Sequence, residues 1–125
     1  MNLTEISKEI EKLKYHINIL GDIIDYHNHP VESLTISMDW DEKNINHTHD
    51  IFEKYDEKLS NNEKLNWYDF ENDLKNELDI EYQMVKQVIL AFYKNHQWTD
   101  VCYQYALSFG PNIPAEFHQI IHHNN

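Results

Sequence analysis

Seven aliphatic side chains set a rhythm at the start of this chain: Leu3, Ile6, Ile10, Leu13, Ile17, Leu20 and Ile24 fall at alternating spacings of three and four. On a helix of about 3.6 residues per turn that rhythm keeps one narrow stripe on one side, the seam of a heptad repeat. A strand cannot carry it, because strand side chains change face at every residue. The seam predicts a long amphipathic helix ending near Tyr26, with Asn2 or Thr4 as its cap and Lys8, Glu9, Glu11, Lys12 and Lys14 on its flanks. Such a stripe has to lie against something, either its own domain or a second copy of the chain.

The rest of the sequence is also poor in breakers, with two glycines and three prolines, which argues against a turn-rich all-β layout. Pro30 suits the first position of a short helix through Val31, Leu34 and Met38, with Asn28 or His29 as its cap. Asp39 or Asp41 can cap a third helix that puts Ile45, His49, Phe52, Asp56 and Leu59 on one face, with Thr48 and Tyr55 beside them. Ser60-Asn61-Asn62 reads as a loop, and Asn66 then caps a helix whose apolar face is Trp67, Phe70, Leu74 and Leu78. Asp79 is the expected cap of the next, which runs through Tyr82, Val85, Ile89 and Phe92 to about Lys94. A step from Asn95 to Trp98 leads into a helix from Thr99 to Phe109, stopped by Gly110 at C′ and by Pro111. Pro114 opens a final short helix to about Ile121, and residues 122–125 are expected to fray. The sum is a single all-α domain over residues 1–125, a compact bundle of about five to seven helices with a long N-terminal amphipathic helix and a C-terminal helix hairpin.

Two resemblances bear on this layout. AFYKNHQWTDVCYQYAL, Ala91 to Leu107, resembles the turn of a tetratricopeptide hairpin in a single copy, with His96 where that motif prefers glycine and no 34-residue period elsewhere. It predicts an antiparallel helix hairpin and no solenoid. IEKLKYHINIL, DIFEKYDEKL and LDIEYQMVKQVILAFYKNHQWTDVCYQYA are together similar in order and spacing to the YhaI-like family, small helical proteins of low-GC Gram-positive bacteria with no assigned function. That resemblance implies an all-α fold, a cytoplasmic setting and self-association through helices, and it carries over no catalytic residue.

Charge narrows the function. The chain has 22 acidic residues against 10 basic ones, a net charge of −12, and every basic residue is lysine. Arginine is the side chain best suited to bidentate phosphate and guanine contacts, so its absence and the negative field argue against direct nucleic-acid binding. Nine histidines would bring the charge from −12 to −3 on full protonation, and near-neutral charge favours association. A single cysteine, Cys102, has no disulfide or zinc-pair mate and suits a reducing cytoplasm. The charged start MNLTEISKEIEKLK offers no signal-peptide core, and no apolar run approaches the roughly 20 residues that span a bilayer, so no membrane association is expected.

Candidate chemistry is sparse. His27-Asn28-His29 spells the name of a nuclease motif, but that motif gathers residues from distant positions, and here the triplet reads as a connector. His118 and His122 stand four apart on the last helix, the geometry in which two imidazoles share a zinc or nickel ion. A third ligand would have to come from Glu116, His27 or His29; the plain alternative is a solvated tail. His47 and His49, two apart, point in different directions, and His49 is expected to be half-buried and hydrogen-bonded. Cys102, flanked by Val101 and Tyr103, reads as a buried, inert thiol. With only Gly21 and Gly110 available, no phosphate loop, dinucleotide fingerprint or nucleophile elbow can form. The acidic runs lack the glycine of a calcium loop and suit solvated helix starts.

The expectation is therefore a cytoplasmic, non-enzymatic protein without cofactor or dedicated metal site, acting by helix-mediated association, with the first-helix seam as the contact and a homo-oligomer as the product. One alternative is an acidic inhibitor that mimics DNA towards a basic nucleic-acid-handling partner. Another is a metal-binding protein built on the histidines.

Overall fold

The computed structural model describes residues 1–123 and contains, among them, seven α-helices, two short 3₁₀ turns and no strand. The all-α expectation holds. Helix α1, Leu3–Ile23, starts at a capping box: Asn2 Oδ1 accepts from the Glu5 N–H at 2.9 Å, and Glu5 Oε2 accepts from the Asn2 N–H at 3.4 Å. It stops about a turn earlier than Tyr26 because Asp25 offers the backbone another partner. Its carboxylate accepts from the His27 N–H at 2.8 Å and from Asn28 Nδ2 at 2.7 Å, an Asx turn that competes with further helix.

Of the two expected caps of α2, Pro30–Ser37, that turn leaves His29: Asn28 is spent on Asp25, and His29 occupies the N-cap without a side-chain bond. Pro30 does sit at the first helical position. Helix α3, Glu42–Ser60, begins at a second capping box, between Asp41 and Asn44. Its buried face is Thr48, Ile51, Phe52 and Tyr55, rotated from the expected stripe, so that Ile45, His49, Asp56 and Leu59 flank the core. Thr48 tolerates full burial because its hydroxyl donates to the Asn44 carbonyl at 2.8 Å.

Helix α4, Trp67–Leu78, follows the expectation closely, with the Asn66 side chain accepting from the N–H groups of Tyr68 and Asp69, and Phe70, Leu74 and Leu78 buried. Asp79 does not cap the next helix. It terminates α4 in the left-handed region at φ 51°, its N–H and that of Ile80 donating to the Lys75 carbonyl, and Glu81 takes the N-cap of α5, Tyr82–Lys94.

Helices α5 and α6, Thr99–Leu107, form the expected hairpin. Its turn places His96 at φ 59° and Trp98 at φ 48°, so a histidine fills the left-handed position that a glycine would fill without strain. Trp98 is held there by contacts: its Nε1–H donates to Glu53 at 3.1 Å and its ring stacks on Phe52 at 5.2 Å. Helix α6 ends two residues earlier than expected, so Gly110 (φ 61°) opens a 3₁₀ turn, Gly110–Asn112, rather than sitting at C′. After Pro114 comes a second 3₁₀ turn, Ala115–Phe117, and then α7, His118–His123. The expected fraying is not seen at His122, which stays helical, and for residues 124–125 it lies outside the described residues.

One core joins α2 through α7. A chain of rings runs through it from Trp98 to Phe52, Phe70, Tyr105 and Phe117, with successive centroids 5.2, 5.4, 5.5 and 5.8 Å apart. Such offset and edge-to-face pairs add to the stabilisation from burial. Lys86, on α5, is the one charged side chain in that core among the described residues; its ammonium reaches Glu116 at 3.4 Å and so ties the second 3₁₀ turn to α5. Helix α1 is different, because none of its residues is buried.

Candidate interaction surface

The six seam residues inside α1 all face solvent. Leu3 is 82% exposed, Ile10 47%, Leu13 57% and Ile17 54%, and Ile6 and Leu20 are likewise exposed. Ile24, the seventh, is the helix C-cap in extended backbone and is half-buried, so the helical seam closes at Leu20. Ile23, three residues after Leu20, borders the exposed strip, whereas Ile19, two after Ile17, is exposed on a different side of the helix. Helix α1 comes nearest the domain at its last turns, where Ile17, Gly21 and Ile36 line a shallow hollow. A β-carbon on Gly21 would lie 3.6 Å from Ile36 Cγ2, an ordinary contact, so close packing does not demand glycine there.

The flanks of the seam are charged and solvated. Glu9 and Lys12 approach to 3.6 Å, both well exposed, an arrangement worth little in water. Charge in α1 is almost balanced, with Lys8, Lys12 and Lys14 against Glu5, Glu9, Glu11 and Asp22, so nearly all of the net −12 sits on the remainder of the chain.

The other candidate groups are placed as follows. His118 and His122 stack edge to face with ring centroids 5.9 Å apart, but no third ligand joins them: among the described residues no group of three metal-ligating side chains converges. His49 lies half-buried between Phe92 and Trp98, at 5.7 and 5.2 Å, in ring contacts rather than the expected hydrogen bond. His47 faces Glu77 at 3.3 Å, on a different side of α3. His27 sits at the mouth of a hollow beside Tyr93 and His96, while Asn28 is tied to Asp25. Cys102 is fully buried, its thiol directed at the Ile89 carbonyl at 3.6 Å, and burial pushes its pKa far above the ordinary range. That thiol is inert in the folded protein.

A feature with no sequence signal is the open cleft of about 830 Å³ between α4, the start of α5 and the chain just after α6, lined by Trp67, Tyr68, Glu71, Tyr82 and Phe109. Tyr105 donates to Glu71 at 2.6 Å beneath it. Burial first, then that hydrogen bond and the carboxylate's charge, push the Tyr105 phenol well up. Nothing in the spacing of residues 71, 82 and 105 could have brought these groups together before the helices were packed.

Elsewhere the acidic surface gathers Glu53, Asp56 and Asp100. Partial burial of Asp56, followed by the charges of Glu53 and Asp100, raises its pKa. No helix among the described residues is long and apolar enough to cross a membrane. Comparison with family models, curated proteins and solved structures finds no match.

Proposed function

We propose that this chain is a non-enzymatic association module in which α1 joins copies of the protein while the α2–α7 body stays intact. One observation carries the reading: α1 leaves its whole aliphatic seam in solvent, whereas the apolar faces of α3, α4 and α5 are buried. Fully burying an exposed leucine or isoleucine is worth roughly 1.5–3 kcal/mol, and a second apolar surface would recover about half of that at each half-exposed seam residue. The resemblance to the YhaI-like family fits the same reading.

The test is sedimentation of the wild type and Ile10→Asp over a range of concentrations, with helicity followed in parallel. The expected result is a wild-type mass above the monomer that Ile10→Asp returns to the monomer, with the core still folded. Unchanged mass and helicity in Ile10→Asp would sink the proposal.

A second reading rests on the Glu53, Asp56 and Asp100 cluster, where partial burial first and then the neighbouring like charges raise the Asp56 pKa. Such a patch suits a basic protein partner, and a nucleic-acid-handling protein is the kind it would mimic DNA towards. A heteromeric complex from the native host that dissolves with rising salt supports it; a complex that persists at high salt counts against it.

A further inference from the structure

We infer that two copies of α1 pair in parallel and in register, as a two-stranded coiled coil, an orientation that rests on the association proposed above. The register follows from the seam: Ile10 and Ile17 fall at a positions, Leu13 and Leu20 at d positions. β-branched residues at a with leucine at d favour two parallel strands over higher oligomers. The exceptions are confined to the first turn, where Leu3 holds an a and Ile6 a d position.

Charge selects the same orientation. Glu9 falls at g and Lys14 at the following e, so a parallel partner sets Glu9 of each copy against Lys14 of the other, twice by symmetry. The remaining e and g positions within the helix, Ser7, His16, Gly21 and Ile23, bring no like-charged carboxylates or lysines face to face. In the antiparallel alignment that layers Ile6 on Ile17, Glu9 meets His16 and Lys14 meets Ser7, and the complementary pair is lost. The contact between Glu9 and Lys12 does not prevent this, because both side chains are solvated at 3.6 Å.

Helix α1 also needs such a partner. Three heptads with one capping box and no buried residue make a helix that is marginal in water by itself. Its length of 21 residues, about 30 Å at 1.5 Å per residue, gives a coil short enough that the pairing depends on concentration.

The experiment is disulfide trapping in the full chain with Ile6→Cys, run beside sedimentation of the wild type. Cys102 does not interfere, being fully buried. The parallel dimer predicts that Ile6→Cys alone cross-links to a covalent dimer under mild oxidation. Cross-linking only when Ile6→Cys is mixed with Ile17→Cys would overturn it in favour of antiparallel pairing, in which two copies of position 6 lie about 16 Å apart. A trimer or larger mass overturns the two-stranded form. A wild-type chain that stays monomeric at all concentrations refutes the underlying association itself, whatever the orientation. As a second measurement, Glu9→Lys and Lys14→Glu should each weaken the dimer roughly tenfold, and mixing the two variants should restore it. If the mixture is no tighter than either variant, the Glu9–Lys14 pairing is wrong.

Discussion

Helices α1 and α4 have the same design on paper and opposite fates. Both start at an asparagine cap, and both carry apolar side chains at three- and four-residue spacings. Phe70 and Leu74 of α4 are wholly buried, while Ile10 and Leu13 of α1 are about half exposed. The difference lies in what the stripe is made of and where the chain can bring it. Helix α4 presents aromatic rings that meet Phe52, Tyr55 and Tyr105 from three directions. Helix α1 offers a narrow aliphatic seam without rings, joins α2 through an Asx turn at Asp25, and buries none of its residues. An amphipathic pattern thus specifies a buried face without saying which molecule buries it.

The strongest way to break that comparison is to delete a ring from one helix and add a charge to the other. Phe70→Ala should cost about 3–5 kcal/mol and unfold the α2–α7 core, because it empties the centre of the aromatic chain. Ile10→Asp should leave the core's thermal unfolding unchanged. Melts of both variants at dilute concentration, read by near-ultraviolet circular dichroism, check the pair. An Ile10→Asp variant that melts as early as Phe70→Ala would mean that α1 is part of the core after all.

A smaller effect sharpens the electrostatics of the core. Tyr105→Phe removes the hydrogen bond to Glu71 and should cost about 1–2 kcal/mol at neutral pH. The folded state raises the Tyr105 pKa above its ordinary 10.0, so the contribution is fully present below about pH 10 and is lost as pH rises through the folded value. Stability measured by denaturant between pH 7 and 11 should therefore fall less steeply in Tyr105→Phe than in the wild type. Equal slopes would argue that the phenol is not held as described.

Smaller still is the hairpin turn. His96 sits at φ 59°, where a side chain is strained, so His96→Gly should raise the melting free energy by about 1 kcal/mol. Gly21→Ala is the mildest: a β-carbon there meets Ile36 at an ordinary distance, and alanine should favour α1 by roughly 0.5–1 kcal/mol. Helicity at low concentration should rise with no change in the core transition. A loss of core stability would show that Gly21 packs more tightly than its contact with Ile36 suggests.

Much of the local structure was legible in the residues. Asn66 followed by Trp67, Phe70, Leu74 and Leu78 leaves one solution, and Pro30 fixes the start of α2. Asp79 departs from its expected role for a physical reason: a short polar side chain can cap a helix start or adopt the left-handed end of the previous helix. Only the bond from Ile80 to the Lys75 carbonyl decided between them. The stripe of α3 was ambiguous in the same way. Ile45, His49 and Phe52 form one helical row and Thr48, Ile51 and Tyr55 an adjacent one, and contact with α4 and α6 centred the buried face on the second row and Phe52, leaving Ile45 and His49 at its edge.

By itself the sequence determined the helical class, the long first helix, the seam on it, the acidic surface and the lack of glycine-built phosphate sites. Those properties follow from periodicity and composition, which each residue carries wherever the chain goes. The tertiary structure alone decided that Glu71 and Tyr105 meet, that His118 and His122 are joined by no third ligand among the described residues, and that the α1 seam remains in solvent. Each is a relation between segments distant in sequence, set by how the core closes, and local spacing holds no record of it.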